Sequence, residues 1–173
     1  MNKARTQREH SADKALITVR SITKNDTEWV AHRLAKWWGS TDIVTRGRFI
    51  SATALPGFLA VLHEKPVGVV TYQITGRECE IVTLNSLMRG KGIGARLLRQ
   101  VKKVALSSQC NRICVITTND NMRALRFYQK QGFSLVAVHR NALKRSRLLK
   151  KEIPLIGQDG IPLRDEIELE MLL

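Results

Sequence analysis

The sequence predicts a single α/β domain of the α+β class, in which a strand and a helix precede an antiparallel meander and helices alternate with the later strands. Three observations lead to this prediction. The 173 residues are enough for one domain with a hydrophobic core, 43% of them are hydrophobic, and runs with strand and helix periodicity follow one another without repeats or an inner linker. We expect the domain to span residues 15–173, and the polar, basic residues 1–14 to form a flexible arm.

The first strand and the first helix are predicted from local periodicity. Residues 15–22 alternate enough for a strand. Residues 23–40 carry apolar side chains at helical spacing, start among residues that can cap a helix, and stop at Gly39. Trp37 and Trp38 lie on this helix, where they either pack in the core or face a substrate.

An antiparallel meander is predicted next. Residues 43–50 contain a short strand. Two β-rich runs within 57–75 flank the polar turn "HEKP", which predicts a hairpin, and residues 77–87 supply a third run.

Helices and strands alternate in the second half of the chain. Apolar residues at helical spacing predict an amphipathic helix from Ile93 to about Ser107. The next segments predict a buried strand at 111–118 and a helix with both end signals at 119–132. A strand that runs into a helix covers 133–151, and a loop (154–162) and a final alternating strand (164–173) follow.

The formal net charge is +14, with 29 Lys and Arg residues against 15 Asp and Glu residues. Such a surface attracts anions, so a phosphorylated cofactor, nucleic acid and a merely solvated basic surface all fit. Aromatic residues make up only 5% of the chain, and none is interleaved with the cations of residues 140–151. This composition disfavours single-strand stacking, and we expect no nucleic-acid partner.

The chain contains three cysteines, Cys79, Cys110 and Cys114. Their odd number and the lack of zinc-ligand spacing indicate buried thiols, without a disulfide framework or a metal. No apolar run approaches the roughly 20 residues that span a bilayer, and the N-terminus lacks the apolar core of a secretory signal. We therefore expect a cytoplasmic protein without a membrane partner.

A glycine-rich turn, "SLMRGKGIGARLL" (86–98), separates a predicted strand from a predicted helix. The start of a helix has unpaired N–H groups and a partial positive charge, which together bind anions. Gly90, Gly92 and Gly94 remove side chains that would block the approach of the anion, and Arg89 and Lys91 add positive charge.

Two other phosphate-binding patterns fit this turn less well. A nucleoside-triphosphate loop requires Ser or Thr after its Lys, whereas Gly92 follows Lys91. The dinucleotide pattern matches through Gly90, Gly92 and Ala95, with Asp120 at the end of the next strand. However, an antiparallel meander precedes the turn and only 53 residues follow Asp120, too few to complete a doubly wound sheet.

The turn resembles the signature R/Q-x-x-G-x-G/A of the Gcn5-related N-acetyltransferase (GNAT) superfamily through Arg89, Gly92 and Gly94. A second segment, correctly spaced by one helix and one strand, resembles the family's N-x-x-A-x-x-x-Y-x-x-x-G-F through Asn121, Ala124, Tyr128, Gly132 and Phe133. The resemblance covers about residues 15–140. It implies a GNAT-like mixed, mostly antiparallel central sheet of about six to seven strands flanked by about four helices.

The resemblance also implies acetyl-coenzyme A (acetyl-CoA) as co-substrate. In the family, the loop backbone binds the pyrophosphate, and the preceding strand pairs with the pantetheine arm and splays from the next strand to leave a slot for the thioester. The backbone N–H of Leu84 would face the thioester carbonyl, and Asn121 either caps its helix or contacts the cofactor. The expected cofactor-binding residues are Leu84, Asn85, Ser86, Leu87, Arg89, Gly90, Lys91, Gly92, Ile93, Gly94, Ala95 and Asn121.

The implied reaction is acetyl transfer to a primary amine by direct attack in a ternary complex. Tyr128 occupies the family's tyrosine position and is the expected acid for the thiolate; otherwise its ring packs in the core. Glu80 is the expected base, because period-two alternation puts it on the same strand face as Leu84; otherwise it is an exposed strand residue. The alternative is a coenzyme A-binding or nucleic-acid-docking module of the same fold without turnover.

The acceptor is expected to be a small-molecule or peptide amine. Glu166, Glu168 and Glu170 share one face of the last predicted strand. This acidic row either attracts a cationic amine or is the solvated face of an edge or surface strand. We expect a monomer or a homodimer.

Overall fold

The computed structural model describes residues 16–173, so the predicted N-terminal arm (1–14) lies outside the described residues. The strands are β1 (Thr18–Ser21), β2 (Asp42–Thr45), β3 (Arg48–Ser51), β4 (Gly57–Leu62), β5 (Lys65–Thr75), β6 (Glu78–Ser86), β7 (Arg112–Thr118), β8 (Ser134–His139) and β9 (Glu166–Leu172). The helices are α1 (Thr27–Trp38), α2 (Ile93–Ser107), α3 (Met122–Lys130) and α4 (Ala142–Leu149).

Seven strands form one sheet in the order β1-β4-β5-β6-β7-β9-β8, and β2 and β3 form a separate hairpin. The pair β6–β7 is parallel and the other pairs of the large sheet are antiparallel. The prediction of a mixed, mostly antiparallel sheet of six to seven strands with about four helices is therefore confirmed. Within residues 16–173, no helix is both long enough and apolar enough to cross a membrane.

Local signals explain where several elements begin and end. The carboxylate of Asp26 accepts hydrogen bonds from the N–H (2.8 Å) and the hydroxyl (2.7 Å) of Thr23, which fixes the chain just before α1. Gly39 ends α1 in the left-handed conformation, at φ 73°. The β4–β5 hairpin turns at His63 and Glu64, both with positive φ, as the twist of a two-residue hairpin requires.

The large sheet has a hydrophobic cluster on each face. One cluster lies beneath α2 and α3 and includes Ile81, Leu97 and Tyr128, with Leu84 packed against it. The other lies beneath α1 and includes Leu34 and Val69. The two clusters identify which face of the sheet each strand residue occupies.

Strand β6 contains a bulge at Val82. Its pairing with β5 shifts register there, because Thr71 pairs with Thr83 while Tyr72 pairs with Ile81. Ile81 and Leu84 consequently both face the α2 cluster, although they are three residues apart. The expectation that Glu80 and Leu84 share a face is wrong, because the extra residue reverses the alternation between them.

The acidic strand β9 lies between β7 and β8 and is not an edge strand. Glu166 is 2% exposed and Glu168 is 7% exposed. The interpretation of this acidic row as a solvated face is therefore wrong for these two residues. Groups of other elements contact both side chains: the backbone of Arg46 in the β2–β3 turn contacts Glu166, and Arg112 and His139 contact Glu168.

Candidate active site

A cleft opens where β6 and β7 separate. Their parallel pairing extends from Glu78–Arg112 to Ile81–Val115, and beyond it no strand of residues 16–173 pairs with β6 on the side of β7. The cleft is lined from several elements, including Trp38, Thr45, Glu80, Val82, Thr117 and Glu166. The bulge at Val82 lies at the point of separation, so the strand irregularity and the opening coincide.

The glycine loop connects the end of β6 to α2. Gly90 and Gly92 both have φ 73°, a conformation in which glycine lacks the strain of other residues, and Gly92 is the N-cap of α2. The first helical hydrogen bond runs from the Arg96 N–H to the Gly92 carbonyl, at 3.1 Å. The N–H groups of the preceding helical turn therefore have no acceptor within the helix.

An anion fits this helix start. A Cβ atom placed on Gly92 would meet nothing within 4 Å, so the loop faces open space at this position. The two cations of the loop differ in exposure: Arg89 is exposed, whereas Lys91 is buried, at 6% exposed. Unpaired N–H groups beside an open approach form the donor set expected for a phosphate group.

The lack of a side chain at Gly94 serves helix packing and not the approach of an anion. It is helical, and an added Cβ would lie 3.1 Å from two carbons of the Phe127 ring in α3. Gly94 thus allows α2 and α3 to approach closely, and a neighbouring side chain rather than an anion accounts for its lack of a Cβ.

Tyr128 is buried beside this contact. It is 5% exposed, and its ring packs edge-on against Phe127 and Phe133, with centroid distances of 5.1 and 5.2 Å. Burial raises the pKa of the Tyr128 phenol above its ordinary value. The phenol is therefore protonated at neutral pH and chemically able to donate a proton.

Asn121 caps α3, because its Oδ1 accepts a hydrogen bond from the Ala124 N–H at 3.1 Å. The same residue lines the cleft. Several of the expected cofactor-contacting residues on β6 and the loop have protein partners, among them Ser86, whose Oγ donates to the Met88 carbonyl at 2.9 Å. Asn85 Oδ1 accepts from the Trp38 Nε1–H at 3.0 Å, and the Leu87 N–H donates to the Val67 carbonyl at 2.8 Å.

Glu80 lies in the cleft on the α1 face of the sheet and is 4% exposed. Its Oε2 contacts Nη2 of Arg46 at 2.8 Å and Nη2 of Arg48 at 3.4 Å, and it accepts a hydrogen bond from Gln73 Nε2 at 2.8 Å. The alternative interpretation of Glu80 as an exposed strand residue is therefore wrong. The β2–β3 hairpin supplies both cations, and sequence reasoning did not identify them.

The same hairpin contacts Glu166. The Arg46 backbone N–H donates to Glu166 Oε2 at 3.0 Å. Burial raises the pKa of Glu166 above its ordinary value, against the opposing effect of this hydrogen bond. Arg46 thereby joins two carboxylates of the cleft, one through its side chain and one through its backbone.

Other carboxylates at the β6–β7–β9 centre are paired. Arg112 forms ion pairs with Glu78, with Glu170 at 2.6 Å and with Glu168 at 3.5 Å. His139 Nε2 lies 2.9 Å from Glu168 Oε2. In the part of the chain that the structure describes, no group of three or more His, Cys, Asp or Glu residues is arranged to hold a metal ion. The three cysteines are buried free thiols.

Comparison with known proteins agrees with the fold. The family model described as "Acetyltransferase (GNAT) family" matches residues 23–133, which include both predicted motif segments. The chain is 44% identical over 134 residues to YdhI, an uncharacterized protein of Bacillus subtilis (strain 168), covering 77% of this chain and 84% of that protein. It is 23% identical over 147 residues to the aminoglycoside N(6′)-acetyltransferase type 1 of Klebsiella pneumoniae, covering 68% and 73%.

A solved structure shows the same fold. The GNAT family acetyltransferase from Elizabethkingia anophelis with acetyl-CoA bound matches at a TM-score of 0.67, with 22% identity, over 91% of this chain and 99% of that chain. The seven-stranded, mostly antiparallel sheet flanked by helices is thus the fold of a GNAT acetyltransferase. The chain belongs to the acetyltransferase (GNAT) family.

Proposed function

We propose that the protein is an acetyl-CoA-dependent N-acetyltransferase that transfers an acetyl group to a primary amine by direct attack in a ternary complex. The observation that supports this proposal is the cleft between β6 and β7, because β6 runs from it directly into the glycine loop. Holding two substrates together in one cleft supplies much of the rate of such a transfer. The solved structure with acetyl-CoA bound has the same fold.

The residues of the loop would hold the cofactor. The N–H groups of Ile93, Gly94 and Ala95 would bind the diphosphate, with the backbone of residues 89–92 around it. The unpaired side of β6 at Leu84, Asn85 and Ser86 would bind the amide arm, and Asn121 lies beside it as the cap of α3. Acetyl-CoA, when bound, supplies the acetyl group as a thioester.

Two side chains would move protons. Tyr128 would protonate the leaving thiolate, because its buried phenol carries a proton at neutral pH. Glu80, which lies on the face of the sheet opposite Tyr128, would accept the amine proton directly or through water. Its contacts with Arg46, Arg48 and Gln73 hold the carboxylate in a fixed position.

The test is an acetyl-transfer assay on the full chain. Purified protein is incubated with acetyl-CoA and a panel of amines: an alkylamine, an arylamine, a polyamine, a peptide with a free α-amine, a lysine peptide and an aminoglycoside. Free thiol is measured, and acetylation of the acceptor is verified by mass spectrometry. We expect thiol release that depends on at least one amine, with a matching amide product.

The controls separate the proposed enzyme from its alternative. A Glu80→Gln variant should lose the part of the rate that rises with pH, and an unchanged pH profile would exclude Glu80 as the base. Binding of coenzyme A without thiol release for any amine would instead indicate a coenzyme A-binding module. A melting shift with DNA alone that disappears at high salt would indicate nucleic-acid docking.

We also propose that residues 15–173 act as one catalytic domain in the cytoplasm. The three buried free thiols suit a reducing compartment. Limited proteolysis tests the domain proposal, and a stable fragment that begins near residue 15 is the expected product.

A further inference from the structure

Glu166 differs from Glu80 and Glu168, two other buried glutamates near the cleft. It starts β9, is 2% exposed and lines the cleft. Glu80 and Glu168 contact Arg or His side chains, whereas Glu166 accepts a hydrogen bond from the Arg46 backbone N–H at 3.0 Å. A buried carboxylate held by a neutral donor keeps most of its attraction for a cation.

The charged groups around Glu166 come from four elements. Arg46 lies in the β2–β3 turn, His139 ends β8 opposite Glu166, and Arg145 lies on α4. Glu80 of β6 lines the same cleft. The cations lower the pKa of Glu166 less than burial raises it.

Thr45 provides a second, independent observation. It ends β2, is 7% exposed and lines the same cleft. Its Oγ1 is buried and has no hydrogen-bond partner among residues 16–173. A buried hydroxyl without a protein partner is uncommon in folded proteins, and this one is available to bind a ligand in the cleft.

The remaining walls of the cleft are mostly apolar. Val44, Val82 and Ile116 face it, together with Trp38, whose Nε1–H is bound to Asn85 at 3.0 Å. These walls suit an apolar stem beside a single polar head group.

We propose that Glu166 and Thr45 bind the ammonium group of the acceptor, and that the acceptor is a primary alkylamine with an apolar stem. An ammonium group has three N–H donors, and the carboxylate and the hydroxyl accept two of them. This inference rests on the proposed N-acetyltransferase function. It leaves Glu80 as the base and makes Glu166 the residue that selects and positions the charged amine.

The experiment compares three variants of the full chain. Glu166→Gln keeps an acceptor for the Arg46 N–H but removes the charge. Thr45→Val removes only the hydroxyl. Glu168→Gln is the matched control, because Glu168 lies two residues further along the same face and contacts His139 and Arg112. KM is measured for hexylamine, which is charged at neutral pH, for aniline, which is neutral, and for acetyl-CoA.

We expect Glu166→Gln to raise KM for hexylamine about 10- to 100-fold, the factor of a lost hydrogen bond to a charged group. KM for aniline and for acetyl-CoA should stay unchanged. Thr45→Val should raise KM for hexylamine about 3- to 10-fold. Its melting temperature should not fall, because the variant removes an unpaired buried hydroxyl. Glu168→Gln should leave KM for hexylamine unchanged.

A second readout does not depend on turnover. Hexylamine alone should raise the melting temperature of the wild-type chain and of Glu168→Gln, and not that of Glu166→Gln. If wild type transfers no acetyl group but shows this shift, the proposed function fails and the ammonium site stands. If wild type is active and Glu166→Gln keeps its KM for hexylamine, the inference fails and the proposed function stands. An equal rise of KM for hexylamine and aniline with a lower melting temperature would show a structural role and also overturn the inference.

Discussion

The Phe127 ring of α3 lies against Gly94 in the first turn of α2, where a Cβ would come within 3.1 Å of two ring carbons. Tyr128 is the next residue along α3. The start of α2, which we propose binds the cofactor, and the proposed acid are thus held at a fixed distance by one helix contact.

Gly94→Ala should therefore disturb both sites. The added methyl group would lie closer to the Phe127 ring than ordinary van der Waals contact, so the ring must shift slightly, and overpacking of this kind typically costs about 1–3 kcal/mol of folding free energy. We expect a lower melting temperature together with a lower kcat and a higher KM for acetyl-CoA. The double variant Gly94→Ala/Phe127→Leu makes room for the methyl group and should recover most of the stability; no recovery would show that this contact is not the cause.

Gly92→Glu should raise KM for acetyl-CoA at least about 10-fold, because a carboxylate at the start of α2 repels the diphosphate and fills its approach. Gly76→Glu is the control, since Gly76 (φ 60°) also has left-handed backbone and open space but lies in the turn that precedes β6. Both variants should lose about 1 kcal/mol of stability from backbone strain. Steady-state kinetics should show a raised KM for acetyl-CoA only for Gly92→Glu. Equal KM values for the two variants would show that the loop does not bind the cofactor.

Tyr128→Phe should lower kcat about 10- to 100-fold with little change in KM for acetyl-CoA, because it removes only the proton donor. The chain has two tyrosines, and Tyr72→Phe is the natural control. Tyr72 is also buried in the α2 cluster, and its ring stacks on Phe58. A kcat of Tyr128→Phe equal to that of Tyr72→Phe would leave Tyr128 as a packing residue.

Glu166 should make folding stability depend on pH. Burial raises its pKa in the folded protein, so the protonated form is favoured by folding. The contribution of protonated Glu166 to folding stability is fully present below the ordinary pKa of a glutamate. It is lost as the pH rises through the raised pKa of the folded state. Relative to wild type, Glu166→Gln should therefore become progressively more stable in urea unfolding as the pH rises from 4 to 7. A constant difference across this range would contradict the raised pKa.

The element order was predictable because its signals are local. The positive-φ turn at His63 and Glu64, the stop at Gly39 and the cap at Asn121 each act within a few residues of the chain. Helix and strand periodicity depend on local sequence in the same way.

The geometry of the site was less predictable because it depends on partners that are distant in sequence. The bulge at Val82 arises in the register between β5 and β6, and it moved Glu80 to the face opposite Leu84. The carboxylate of Glu166 is contacted by the backbone N–H of Arg46, which lies 120 residues away in the sequence. Thr45 and Arg46 reach the cleft through a four-residue strand and a tight turn, which are too short for periodicity to indicate a role.

The central claim is that the start of α2 and the adjoining cleft bind coenzyme A. Titration of the ¹⁵N-labelled chain with coenzyme A, followed by backbone amide NMR, measures this claim directly. The account predicts the largest shift changes at the amides of Gly92, Ile93, Gly94 and Ala95, with smaller changes along β6 from Leu84 to Ser86. Unchanged amides at the start of α2 at saturating coenzyme A would contradict it.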